Sequence, residues 1–124
     1  MLKEMMISPP NSILFVSDAN GGDTPMLERG ARFAASPSCL CITCYPEQDG
    51  QTKISFSDIK SIQEQNAPAF ESILETPSKL VVVSTSEGNM LLQLPIETRR
   101  AHLRIWTNHA TWPDRVKTGV LELE

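Results

Sequence analysis

The chain has 124 residues, 40% of them hydrophobic and 21% charged, with a net charge of −4 and a pI near 5.2. That length predicts one domain, residues 1–124, able to bury a core without disulfides or metal, and the composition excludes disorder. An acidic surface repels polyanions, which argues against DNA or RNA binding and favours a basic protein partner.

Residues 1–10 read as a loose lead-in ending at Pro9-Pro10. It lacks an apolar signal segment, and no stretch approaches the roughly 18 apolar residues of a membrane span, so the chain is expected in the cytoplasm with no membrane contact. Ile13-Leu14-Phe15-Val16 reads as a buried strand. Asp18–Asp23 is loop chemistry, and Thr24-Pro25 resembles a helix start, with one or two helical turns over Met26–Arg29 stopped by Gly30. Arg32–Ala35 is extended. Cys39–Tyr45 alternates across two buried faces, and the Asp49-Gly50 turn pairs it with Thr52–Phe56 as a hairpin.

Residues 57–77 allow two readings. Phe70, Ile73 and Leu74 have helical spacing after Asn66 and Pro68, and Pro77 terminates the run. In the alternative, Ile59–Ile62 is a strand and only 67–75 is helical. Lys79–Thr85, the turn Ser86–Asn89 and Met90–Leu94 form the clearest hairpin. Ala101, Leu103 and Ile105 alternate with His102, Arg104 and Trp106, a strand with one face toward a core. Asn108–Asp114 is a loop. Val116–Leu123 is a last strand, with Gly119 a candidate bulge. The nine prolines punctuate many short elements. The sum is a mainly β protein: an antiparallel β-sandwich of about seven or eight short strands with one or two short helices.

Cys39, Cys41 and Cys44 have the donors for zinc, yet alternation puts Cys44 on the face opposite the other two. Ligands about 2.3 Å from one ion must converge, so the thiols are read as buried packing and no metal or cofactor is assigned. Asp18-Ala19-Asn20-Gly21-Gly22-Asp23 lacks the glutamate that an EF-hand loop needs at its twelfth position, where Arg29 stands. His102 and His109 are the two histidines. No nucleophile elbow or phosphate loop accompanies them, and the carboxylates are scattered, so no enzyme is predicted. Asp58, Glu64, Glu71 and Glu75, like Arg99, Arg100 and Arg104, read as solvated surface. Trp106 and Trp112 either cover the core edge or anchor a partner.

Three stretches carry a family likeness. Glu28-Arg29-Gly30-Ala31-Arg32-Phe33-Ala34-Ala35, Leu92-Gln93-Leu94-Pro95 and Leu103-Arg104-Ile105-Trp106-Thr107 match in order and spacing over residues 12–110. In these the chain resembles the competence protein J family, small bacterial inhibitors of a DNA-entry nuclease. The three cysteines and Trp112-Pro113-Asp114 fall outside that pattern. The resemblance implies a cytosolic β-sandwich that binds a protein, a nuclease or toxin.

The expectation is therefore an inhibitor- or immunity-type binding module. Its partner-binding residues are Trp106, Trp112, Asp114, Asp18 and Asp23, carboxylates around a tryptophan anchor facing a basic nuclease or toxin. Two other readings stand beside it. One is a metal- or small-molecule-binding domain using Asp18–Asp23 and His109–Asp114. The other is a homodimer joined through Val116–Leu123 as an edge strand.

Overall fold

A computed structural model describes residues 2–46, 48–109 and 111–123. The chain forms ten strands: β1 (Lys3–Ile7), β2 (Ile13–Asp18), β3 (Phe33–Ser36), β4 (Cys39–Thr43), β5 (Thr52–Asp58), β6 (Phe70–Glu75), β7 (Leu80–Thr85), β8 (Met90–Pro95), β9 (Arg100–Thr107) and β10 (Arg115–Leu123). The only helical pieces among the described residues are 3-10 turns at Pro10–Ser12 and Ile59–Ser61. One five-stranded sheet has the order β1-β5-β10-β9-β6, and the other β3-β4-β2-β7-β8. Every pairing is antiparallel except β5 with β10, which is parallel.

Period-two alternation builds the core, because it turns every second side chain of each strand to the same face. Leu14, Val16, Leu40, Ile42, Val81 and Val83 of one sheet meet Ile54, Phe56, Leu103, Ile105, Val116 and Val120 of the other in one buried cluster. Burying each such side chain contributes about 1.5–3 kcal/mol. Phe33 and Phe70 fill one flank, with stacked rings 4.9 Å apart, and the Glu75 N–H donates to Pro37 O there at 2.7 Å. On the other flank Lys3 Nζ donates to Gln93 O, which occupies a free edge carbonyl of β8.

Several expectations change. The lead-in contains β1, which pairs with β5 from Lys3↔Phe56 to Ile7↔Thr52 and turns Met5 and Ile7 toward the core. The expected helix at Met26–Arg29 is absent. β2 and β3 both run antiparallel to β4, so residues 19–32 must return along the length of the sheet, with tight turns closed at its two ends by Gly21 N–H to Asp18 O and Ala31 N–H to Glu28 O. The expected helix over 67–75 is β6. Phe70, Ser72 and Leu74 lie opposite Ile105, Leu103 and Ala101 of β9, while Ile73 points outward. Residues 59–62 are not a strand either; their turn packs on the outer face of β10.

The β4–β5 hairpin does not exist. β4 already has β3 and β2 as neighbours, so neither edge is open, and residues 44–51 carry the chain to the other sheet. β10 is no edge strand: β5 and β9 flank it, which removes pairing through Val116–Leu123 as a route to a dimer. Gly119 is no bulge, since register runs through it on both sides. It is instead a close approach, where a Cβ would lie 2.6 Å from Ile59 Cδ1 and 3.3 Å from Trp106 Cζ3. The hairpin β7–β8 and strand β9 form as expected.

Candidate protein-interaction surface

Four loops close one end of the two sheets: residues 8–12, 44–51, 86–89 and 108–114. Distant in sequence, they are tied together. Ser8 Oγ–H donates to Gly50 O (3.0 Å), Asn11 Nδ2–H to Ser86 Oγ (2.9 Å), and Tyr45 N–H to Pro113 O (2.8 Å). Asn11 and Ser12 both hold left-handed backbone, φ 58° and 59°, a conformation that costs a non-glycine residue about 1 kcal/mol and persists where surroundings impose it. The Ser12 N–H to Pro9 O bond and the Asn11–Ser86 contact impose it here.

Within 108–114 the described backbone is locked. Asn108 Nδ2–H donates to Asp114 Oδ1 at 2.6 Å, and Asn108 Oδ1 accepts from Arg115 N–H at 3.0 Å. His109 Nδ1 accepts from the N–H groups of Thr111 (3.0 Å) and Trp112 (3.2 Å), and Pro113 is buried. The result is a fixed loop that leaves Trp112 50% exposed.

Trp106 lies on the outward face of β9, as its alternation with Ile105 required. Its indole N–H donates to Asn66 O at 2.8 Å and its ring abuts Gly119, so it is half-buried beneath the 59–66 segment. A cleft of about 260 Å³ opens between Trp106, Arg115 and Lys117. Lys117 pairs with Glu64 at 3.5 Å, and Glu71 meets both His102 Nε2 (3.0 Å) and Arg104 Nε (3.4 Å).

The structure thus keeps Trp106, Trp112 and Asp114 at one end and sends the other two expected residues to the opposite end. Asp18 is 1% exposed, and its carboxylate accepts from Ser78 N–H (3.0 Å), Ser78 Oγ–H (2.6 Å) and Asn20 N–H (3.1 Å). It ties β2 to the β6–β7 turn and presents nothing to a partner. Asp23 is exposed beside the β3–β4 turn, where its N–H donates to Ser38 Oγ at 2.8 Å. The residues that sequence reasoning missed are Tyr45, Asp49 and Glu87. Each stands in a loop unremarkable alone, and the readable signal was that all four loops lack lysine and arginine.

Cys44 lies in the core cluster, whereas Cys39 and Cys41 are buried on the other face of their sheet. Burial pushes the Cys39 and Cys41 thiols up to about 11 and that of Cys44 to about 12. Among the described residues no three His, Cys, Asp or Glu side chains gather in a group able to hold a metal ion. Asp58 is held down at about 2 by hydrogen bonds from the Ser57 and Ser61 hydroxyls, both at 2.9 Å. Among the described residues no helix is long and apolar enough to cross a membrane.

These features define a mainly β, two-sheet protein with a rigid loop end and an exposed aromatic upon it. The fold is shared with a solved structure: the crystal structure of ComJ, inhibitor of the DNA degrading activity of NucA, from Bacillus subtilis, matches with a TM-score of 0.71, 12% identity and 99% of each chain covered. That likeness and the resemblance drawn from residues 12–110 point to one fold. No protein-family model and no curated protein matches the sequence.

Proposed function

We propose that this chain is a cytosolic β-sandwich binding module of the inhibitor type, which neutralises a nuclease by stoichiometric association and has no catalysis of its own. The carrying observation is the fold shared with ComJ end to end, 99% of both chains at a TM-score of 0.71. Two further points support it. The cysteines are buried and their thiols held protonated, so no thiolate nucleophile is at hand. The histidines engage neighbouring groups of the chain: His102 sits against Glu71, and His109 braces the loop of Trp112. Trp106, Trp112 and Asp114 are the proposed partner-side residues that share one end of the fold.

The test is a DNA-degradation assay with purified NucA-type and unrelated nucleases, titrated with this protein. A sharp end point near one equivalent on a NucA-type enzyme, without effect on the unrelated ones, is the expected result. Unchanged degradation at a hundredfold excess over every NucA-type nuclease tried removes the proposal.

A further inference from the structure

The two ends of the molecule both carry carboxylates and differ in where the cations lie. The turns at the Asp18 end carry Lys79 and Arg99 beside Glu97 and the exposed Asp23, so charges of both signs meet there. The four loops at the Trp112 end carry no lysine or arginine at all, while Asp49 and Glu87 stand exposed in them. The nearest cations lie on the flanks. Lys53 is on the outer face of β5, paired with Glu4 at 3.5 Å, and Arg115 lines the Trp106 cleft. Arg32 lies beside Phe33 and Phe70.

The large aromatic exposed at this end is Trp112, in the 108–114 loop. A tryptophan ring left half in water forgoes about half of its possible burial energy, yet its backbone is fixed by His109, Pro113 and the Tyr45 contact. A large, rigid, exposed aromatic loses little entropy on binding, which is the physical profile of an interface hot spot. The ties among the four loops extend that rigidity across the surface, so Tyr45, Asp49 and Glu87 are presented in fixed relation to it.

We propose that the four-loop end is the docking surface, and that it receives a lysine- and arginine-rich protein surface, with Trp112 as anchor and Asp49 and Glu87 as steering charges. The occupant follows from charge complementarity: a cation-free face with exposed carboxylates favours a cationic partner and repels an anionic one. Applied to a nuclease, the matching surface is the one that holds the DNA phosphates, so inhibition is by occlusion. This last step rests on the inhibitor reading; the location and charge of the surface do not.

The experiment compares Trp112→Ala, Asp49→Lys and Glu87→Lys with Glu75→Lys, an equal charge change on the distant strand β6. Against a nuclease that the wild type binds, Trp112→Ala is expected to weaken affinity at least ~30-fold, as hot-spot truncations do. Asp49→Lys and Glu87→Lys are expected to slow association about tenfold at low salt, with the difference fading as salt rises. Glu75→Lys is expected to leave binding within about twofold. If Glu75→Lys matches the loop variants, or Trp112→Ala is neutral, the surface is wrong while the inhibitor function stands.

A second arm needs no nuclease. A decalysine peptide is titrated at low ionic strength into labelled protein, and amide shifts are followed by NMR. Changes concentrated in 8–12, 44–51, 86–89 and 108–114, and lost in Asp49→Lys/Glu87→Lys, support the surface even where no nuclease binds. Changes centred on Glu64 and Glu71 of the outer sheet face, or at the Asp18 end, overturn it.

Discussion

Replacing Asp18 by alanine separates a structural carboxylate from a binding one. The side chain is buried and takes three donors, Ser78 N–H, Ser78 Oγ–H and Asn20 N–H, at 3.0, 2.6 and 3.1 Å. A hydrogen bond to a charged acceptor contributes about 1.5–3 kcal/mol, and a donor stranded by truncation costs about 1–3 kcal/mol. Water reaches part of this turn, since Asn20 is exposed, so the three losses do not sum in full. Asp18→Ala is therefore expected to cost about 3–5 kcal/mol, a large share of the ~5–15 kcal/mol of a domain this size. Asp18→Asn keeps one acceptor oxygen and sets an NH₂ against the remaining donors; about half that loss is expected. Urea unfolding followed by tryptophan fluorescence reads both, with an unchanged m-value showing that the denatured state is unaltered. Thermal midpoints should fall by roughly 10–20 °C for the alanine variant. A loss below about 1 kcal/mol in Asp18→Ala would refute the role of Asp18 as the acceptor that ties β2 to the β6–β7 turn. So would lost partner affinity in Asp18→Asn under conditions where it is fully folded, because the residue would then be acting at the surface.

The thiols supply a second prediction. Their folded values near 11, 11 and 12 lie above the ordinary 9.0, so the stability they contribute is complete below about pH 9 and is lost as pH rises toward 11–12. Native protein at pH 8 should resist iodoacetamide at all three positions, by intact mass, and react fully in urea. Asp58 runs the other way: held near 2, it stabilises above 3.8, and that stability fades as pH falls toward 2. Ser57→Ala should raise the Asp58 midpoint toward 3.8, measured by NMR titration of its carboxyl carbon. Trp106→Phe loses the hydrogen bond to Asn66 O and should cost about 0.5–1.5 kcal/mol, whereas Trp112→Phe should leave the unfolding midpoint unchanged within error. In the Trp106→Phe variant, acrylamide should quench the remaining exposed Trp112 more strongly than Trp106 is quenched in Trp112→Phe.

Part of the fold was legible because some strands state their own faces. Leu80–Thr85 and Met90–Pro95, around Ser86–Asn89, need only a local turn to find each other. Ala101, Leu103 and Ile105 turn inward while Trp106 turns out, as their alternation required. The opposed orientation of Cys44 against Cys39 and Cys41 was likewise contained in the pattern. The failures share a cause. Phe70, Ile73 and Leu74 fit helical spacing, but Phe70 and Leu74 are also four apart on one face of a strand, and only the ladder with β9 decides between them. The Cys39–Thr43 and Thr52–Asp58 strands look like hairpin partners until β2, β3, β1 and β10 fill every edge. On the candidate surface, Trp112 and Asp114 were visible as loop residues. Asp18 was misread because polar residues beside Gly-Gly resemble surface, and nothing local reveals Ser78 sixty residues away.

By itself the sequence determined the class: an acidic, β-rich chain with buried thiols and a tryptophan-bearing loop, since composition and alternation act residue by residue. Only the tertiary structure decided which strands are neighbours, which carboxylates are spent inside the fold, and that four separate loops make one cation-free face. Those outcomes depend on contacts between residues far apart along the chain, and such contacts are chosen by competition among all strands for a limited number of open edges.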